Sequence, residues 1–583
     1  MKKFIMIFLI SLSLIAQQKN NEWVTYFEKS NFLSTPNYDE TIKYFKALER
    51  NSPFIKLIPF GKTAQERTLY ICVVSKEKAF TPAKAKKINK PIILIQNGIH
   101  SGEIEGKDAS MILLREILIT KEKFNLIDNV TLLIIPVFNA DGHERRSPFN
   151  RINQNGPTEM GWRTTAQNYN LNRDYMKSDS PEIQSWLKLF NQWLPDFFVD
   201  SHTTDGADYQ YTITYGIEKY RNLPPKTAQF VKEKFIPFNN KRTEDKGFLI
   251  APYVSYKGRN FESGIVDYSA TPRFSTGYTA IQNRIGLLIE THMLKPYKDR
   301  VFATKAMFEN VIEFCSQYKN ELIKLNQEGD RFVVEHYFIN KNYFPLSFDV
   351  SEKSKPFLYK GIEAKEEDSW ITGKKVIRYT GKPFEKIIPF YDDNFVKDSV
   401  KVPIGYIIPV EYKEIVNRIK LHGIEVKRLN EEKNFIVEKY KFNNVKFSTS
   451  SFENHFQPTY DYEIFRDTIK SKKGDYFIRT NQRTLGVIVH LLEPKGPDSF
   501  LRWGFFNSIF EPKEYFEEYS MEPIAQKMVV DNPKLKEEFE NYVNSDPKIK
   551  ENPRRRLNFF YERSPYFDNQ LNIYPILRVI KTL

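Results

Sequence analysis

The sequence predicts an α/β domain whose sheet is largely covered by helices, followed by a C-terminal β-rich mixed α/β region. Three observations predict it. From about Asn20 to residue 327, short apolar runs alternate with helical patterns, as in a sheet sandwiched by helices. After about Gly329 strand-like pieces dominate. The chain, at 583 residues, is too long for one ordinary domain, and its 41% hydrophobic and 15% aromatic content supplies a large core.

The chain opens MKKFIMIFLISLSLIA. Lys2 and Lys3 form a short basic segment, Phe4 to Ile15 an apolar stretch, and Ala16 a position for cleavage, so residues 1–16 read as a signal peptide. The stretch is short for a bilayer span. No Cys follows it to take a lipid, and no later apolar run is long enough to cross a membrane. The expectation is export to the periplasm or the extracellular space, without a permanent membrane anchor.

In the first region Thr68–Val74, Pro91–Gln96, Thr131–Phe138, Phe197–Val199, Tyr211–Thr214 and Gly286–Ile289 read as buried strands. Glu105–Leu118, Pro181–Trp193, Lys226–Phe235 and Arg300–Leu325 read as helices, the last with an apolar stripe through Val301, Phe308, Val311 and Cys315. The segment NQEGD (Asn326–Asp330) marks a boundary between a domain over residues 20–327 and an accessory region over 330–583, which has room for two subdomains. There, strands are expected at Phe332–Phe338, Lys375–Tyr379, Pro403–Pro409, Phe435–Phe447 and Leu485–Leu492, and a helix at Glu411–Leu421 that Gly423 ends.

Composition excludes several function classes. Cys72 and Cys315, the only cysteines, sit in apolar periodic segments and read as buried thiols, with a disulfide the alternative after export. Two cysteines are too few for a cysteine-built metal site. The net charge of +14 comes from scattered basic residues. That supports a mild attraction to anionic surfaces or acidic substrates, not nucleic-acid binding.

The chemistry gathers around four side chains. His100 and Glu103 follow the apolar run PIILIQNGI directly, in a loop leaving a strand end, where α/β proteins build sites. Together they offer one nitrogen and one oxygen to zinc. A lone His-x-x-Glu is common, and its ordinary meaning is a solvated turn. His202 stands just past the apolar strand at Phe197–Val199 and would complete a set of two histidines and one carboxylate with an open fourth position. Asp200 or Ser201 could orient it. Glu290 closes the apolar run IGLLIE, where a carboxylate is costly unless it meets a cleft or a partner. It is either a salt-bridge member, with Arg284 or Lys295, or a general base.

Further segments accompany these: IIPVFNADGHE (Ile134–Glu144), GWR (Gly161–Arg163), NLNRD (Asn170–Asp174) and IET (Ile289–Thr291). The order His-x-x-Glu, Asn-Arg, His, Glu, with these segments between, resembles the zinc carboxypeptidases related to carboxypeptidase A over about residues 35 to 325. The resemblance implies a mixed central sheet flanked by helices and one Zn2+ per chain on His100, Glu103 and His202. It also implies Glu290 as general base, Arg163 stabilising the oxyanion, and Asn172 with Arg173 binding a substrate's terminal carboxylate. Family members carry a mobile tyrosine upstream of the base; Tyr268 and Tyr278 are both candidates, Tyr268 having the more familiar separation. The implied substrate is a peptide or protein C-terminus. Two rivals accompany it: deacylation of N-acylated amino acids on the same scaffold, and a binding protein that keeps the fold without the chemistry.

Overall fold

The computed structural model describes residues 23–583. The signal segment expected over 1–16 and the domain start expected at Asn20 lie outside the described residues. Among the described residues nine strands occur before residue 300: β1 (Ile55–Lys62), β2 (Thr68–Val74), β3 (Ile92–Asn97), β4 (Thr131–Ile135), β5 (Phe197–Thr204), β6 (Ile213–Ile217), β7 (Ile250–Pro252), β8 (Ile265–Val266) and β9 (Ile285–His292). All but β8 form one sheet in the order β1-β2-β4-β3-β5-β9-β6-β7. The run β4-β3-β5-β9 is parallel, while β1, β2 and the β9–β6 junction pair antiparallel, so the sheet is mixed.

Every residue of β3, β4 and β5 is buried, the consequence of helices on both faces, and this is why they read as unbroken apolar runs. The covering helices include α1 (Glu105–Leu118), α2 (Pro181–Trp193), α3 (Ser275–Ile281) and α4 (Tyr297–Gln317). The Ser180 hydroxyl caps α2 by accepting from Ile183 N at 3.2 Å, and Pro181 at the first helical position needs no N–H partner. The helix expected over Arg300–Leu325 is two, α4 and α5 (Lys319–Val333), broken at Tyr318. The one expected over Lys226–Phe235 continues to Asp245 through a wide turn at Val231–Phe235.

Three expectations fail beyond α4. The boundary segment Asn326–Asp330 lies inside α5, where Leu322, Leu325, Asn326 and Gly329 are buried against the rest of the molecule. Gly329 fits because a side chain there would meet Pro224 at 3.0 Å, so tertiary packing outweighs its weak helix propensity. The strand expected at Phe332–Phe338 is the end of α5 and a wide helical turn, Val334–Ile339. The strand expected at Leu485–Leu492 is a helix with every residue buried, and an apolar run buried on all sides carries no period by which to tell the two apart.

The accessory region contains β10 (Tyr343–Val350), β11 (Lys355–Ser369), β12 (Lys374–Tyr391) and β13 (Asn394–Lys401), with β11 and β12 forming a long hairpin. A six-stranded sheet follows, and four helices lie between Glu518 and Tyr561. One hydrophobic cluster runs from Phe27 to Ile576 and includes Val416, Ile478, Val487 and Phe500, so this region shares the core of the first. It also reaches the first region's loops: β12 pairs in parallel with β8. Cys72 and Cys315 are buried free thiols. Among the described residues no helix is long and apolar enough to cross a membrane.

Candidate active site

Strand register brings the chemistry together. In the parallel pair β5–β9, His202 and Glu290 are register partners, so their side chains leave the same face of neighbouring strands. Both lie inside strands that run on to Thr204 and His292, further than the apolar runs alone indicate. Asp200, two residues before His202 and hence on the same face, places Oδ2 2.9 Å from His202 Nε2. Gln96 on β3, the register partner of Asp200, donates Nε2 to the other Asp200 oxygen at 3.0 Å.

The loop after β3 supplies the other two candidate ligands, His100 and Glu103. The start of α1 seats against the strand ends at Gly106, where a Cβ would stand 2.1 Å from Asn97 Oδ1 and 2.2 Å from Ser201 Oγ. That close approach sets Glu103 beside β5. Glu103 Oε2 lies 3.1 Å from His100 Nδ1, 2.9 Å from His202 Nδ1, and accepts from Thr203 N at 3.2 Å. His100 Nε2 is 3.0 Å from Asn170 Oδ1. Both imidazoles therefore give their Nε2 side to an oxygen of the protein and turn Nδ1 inward, the tautomer arrangement that suits a cation at Nδ1. Ligand atoms of His100, Glu103 and His202 lie within 4.8 Å of one another, and no other such group of three occurs among the described residues. Two nitrogens and a carboxylate are a zinc donor set.

Electrostatics prepare this cluster. Burial pushes His100 down to about 4. Burial also opposes charge on His202, but the Asp200 and Glu103 carboxylates outweigh it and hold its pKa well above the ordinary value. Glu103 stays well below the usual carboxylate range despite burial, held there by the imidazoles and Arg151. Its second oxygen, Oε1, meets two guanidiniums: Arg163 Nη1 at 3.2 Å and Arg151 Nη1 at 3.0 Å. Sequence reasoning found Arg163 and missed Arg151, which sits in the Asn-rich loop FNRINQNG with no periodicity or ligand spacing to mark it. Arg151 is the more deeply buried of the two, and its Nε donates to Gln154 Oε1 at 2.6 Å.

Glu290 differs from its neighbours. Its Oε2 is buried with no hydrogen-bond partner. The salt bridges weighed for it do not form: Arg284 pairs with Asp330 at 2.9 Å and Lys295 with Asp208 at 3.0 Å. Burial pushes its carboxyl well up, the charge of His202 opposes this, and Glu103 and Asp200 add to it.

His100, Glu103, His202 and Glu290 open into a cavity of about 410 Å³ that Arg163, Asn172, Arg173 and Tyr268 also line. Asn172 Oδ1 accepts from Ser275 N at 3.1 Å. The Arg173 guanidinium lies 4.3 Å over the Phe274 ring and donates to Asn172 O at 2.7 Å. Among the described residues it has no carboxylate partner, and it lines the cavity. Tyr268 is exposed at the rim. Tyr278 is excluded: it lies on the core side of α3, fully buried beside Trp186, with its hydroxyl 2.9 Å from His422 Nδ1 and accepting from Gln282 at 2.9 Å. His292 does not line the cavity and bonds Ala207 O at 3.0 Å. A larger groove of about 590 Å³, between Lys219–Lys232 and Tyr343–Ser399, holds no converging ligand set.

Residues 41–233 match the zinc carboxypeptidase family model, a span that holds His100, Glu103, Arg163, Asn172, Arg173 and His202 and ends before Tyr268 and Glu290. The chain is 21% identical over 496 residues to Carboxypeptidase 2 of Trichophyton rubrum, covering 82% of this chain and 85% of that one. It is 20% identical over 497 residues to Carboxypeptidase 2 of Trichophyton tonsurans, with the same coverage of 82% and 85%. Among solved structures it is similar to carboxypeptidase A from Helicoverpa armigera, at 16% identity and a TM-score of 0.38 over 53% of this chain and 82% of that one. It is also similar to a metallo-carboxypeptidase from Burkholderia cenocepacia, at 16% identity and a TM-score of 0.37 over 48% and 69%. The family-model match covers the residues that carry the candidate ligand cluster, and over most of its length the chain is similar to carboxypeptidases.

Proposed function

We propose that the protein is an exported carboxypeptidase that removes residues from the C-terminal end of peptides, with one zinc ion per chain held by His100 Nδ1, Glu103 and His202 Nδ1. A zinc ion at that position supplies a Lewis acid, lowering the pKa of a water and polarising a carbonyl. The observation that carries the proposal is Glu290 Oε2: a buried, unpaired carboxylate oxygen next in register to His202, in the same cavity as the cluster.

Each protein group then has a task. Glu290 takes a proton from the attacking water and returns it to the departing amine, and its raised pKa suits both directions of transfer. Arg163, beside Glu103 and partly open to the cavity, donates to the oxyanion that develops on the scissile carbonyl. Arg173 binds the terminal carboxylate through its two-pronged fork, which a lysine could not match, and Asn172 adds an amide donor. Tyr268 closes the rim over the bound terminus. Export rests on the basic and apolar start of the chain.

Mass spectrometry of a mixed peptide library, each peptide as free acid and as C-terminal amide, tests this. Single residues leaving the carboxyl end of the acids, with most activity lost on the amides, is the expected result. Equal turnover of both, or cleavage only of N-acyl groups, contradicts it in favour of a deacylase. No turnover and no bound zinc favours the binding protein.

A further inference from the structure

The segment 267–274 forms a second wall of the cavity, lined by Asp267 to Thr271 and by Phe274. What holds this wall comes largely from the accessory region. Ahead of it, β8 pairs with β12, and Asp267 N donates to Tyr391 O at 2.9 Å. Asn394 then clasps the backbone on both sides of Tyr268: its Nδ2 donates to Asp267 O at 2.8 Å, and its Oδ1 accepts from Ser269 N at 3.1 Å. At the far end Asp498, fully buried, accepts from Arg273 N at 2.9 Å and from Arg273 Nε at 2.5 Å. The Arg273 guanidinium also donates to Pro497 O at 3.2 Å and lies 4.8 Å over the Trp503 ring. The next residue, Phe274, is the ring on which the Arg173 guanidinium rests at 4.3 Å. The segment's own domain adds Glu218, whose carboxylate accepts from Ser269 Oγ and Ala270 N, each at 2.8 Å.

We propose that the accessory region is a brace for the substrate wall, with Asn394 and Asp498 as positioning residues for Tyr268 and for the Phe274–Arg173 stack. The proposal rests on the reading of Arg173 as the carboxylate-binding group. Neither residue touches the cluster or Glu290, so the brace acts on how the peptide terminus is held rather than on proton transfer. Its loss raises KM for free-acid peptides and leaves zinc content unchanged. A small displacement of a positioning group changes kcat/KM by roughly 10- to 100-fold, and here most of it falls on KM, because the terminal carboxylate is already bound in the ground state.

The test uses the full chain with Asn394→Ala, Asp498→Asn, Arg173→Met and the double variant Asp498→Asn/Arg173→Met, assayed on one peptide as free acid and as amide, with zinc content and thermal midpoint measured for each. Turnover of the acid over the amide by the wild-type protein establishes the carboxypeptidase reading, and its absence overturns that reading first. With it in place, the brace predicts that Asn394→Ala and Asp498→Asn each raise KM for the acid by about tenfold or more, with kcat within about threefold. It also predicts that Asp498→Asn adds little once Arg173 is gone. KM unchanged within twofold in both single variants, or a loss from Asp498→Asn that adds fully to that of Arg173→Met, overturns it. Should Asp498→Asn fail to fold, the KM of Asn394→Ala decides alone.

Discussion

The two walls of the cleft are built differently. One wall is the sheet: His202, Asp200 and Glu290 take their places from the register of β5 and β9, and Glu103 is set against β5 by the close seat of α1 at Gly106. The other is an irregular segment, residues 267–274, held by side chains that stand more than a hundred residues away in sequence, Asn394 and Asp498. Within the sheet wall there is a second contrast. The cluster's polar atoms are paired on every side, whereas Glu290 keeps one oxygen unpaired. On the proposed reading, the difference teaches that the metal-holding groups are preorganised by regular structure, one proton acceptor is left unsatisfied for chemistry, and substrate holding is delegated to contacts that a sheet cannot provide.

Experiments that break the sheet wall have the largest effects. His202→Ala removes a ligand, so the purified protein loses its zinc and turnover falls by roughly 10³-fold or more, read by metal analysis and peptide hydrolysis. Arg151→Met leaves the ligands in place but takes from Glu103 Oε1 the more deeply buried of its two guanidinium partners, leaving Arg163; zinc affinity, read by chelator competition, falls by roughly 10- to 100-fold. Gly102→Ala moves in the same direction, since its Cβ would stand 2.2 Å from Arg151 Cδ.

A pH experiment sharpens the contrast within the cluster. The Asp200 and Glu103 carboxylates raise the pKa of His202 in the metal-free protein, so a proton competes with a cation for Nδ1. Calorimetry in buffers of different ionisation enthalpy is expected to find protons released on zinc binding, with affinity weakening as the pH falls. Release of none would mean that Asp200 and Glu103 do not hold that proton.

Glu218, which ties the loop wall to the first region, is pushed up by burial to about 7 from an ordinary 4.5. The folded state therefore binds its proton more tightly than the unfolded chain. This group's contribution to stability is complete below about pH 4.5 and is lost as the pH rises through 7, a change on the order of 3 kcal/mol. Glu218→Gln should flatten the thermal midpoint over that window. The smallest effect is reserved for a residue outside both walls: Tyr278→Phe costs about 1 kcal/mol of stability through its lost hydrogen bonds to His422 and Gln282 and leaves kcat and KM unchanged.

The same contrast explains what was legible in the sequence. The bounds of α1 and α2 could be read because apolar periodicity and, for α2, a Ser-Pro start agree with the final packing. His100, Glu103, His202 and Glu290 could be located because each follows or ends an apolar strand. Their convergence could not, since it depends on which strands neighbour each other and in what register. Arg151 was invisible because its partners are a loop glutamine and a carboxylate 48 residues earlier in the chain. Tyr268 and Tyr278 could not be told apart, because which one faces the cavity is set by where α3 begins. The brace left no trace, since Asn394 and Asp498 sit in stretches whose local patterns describe strands and turns only.

Glu290→Gln is the most direct test of the central claim, because it changes one unpaired oxygen and none of the ligands. Native mass spectrometry is expected to find one zinc in both wild-type and variant protein, while hydrolysis of a free-acid peptide falls by roughly 10²- to 10⁴-fold in the variant. A variant that keeps wild-type turnover, or a wild-type protein that binds no zinc, would contradict the account.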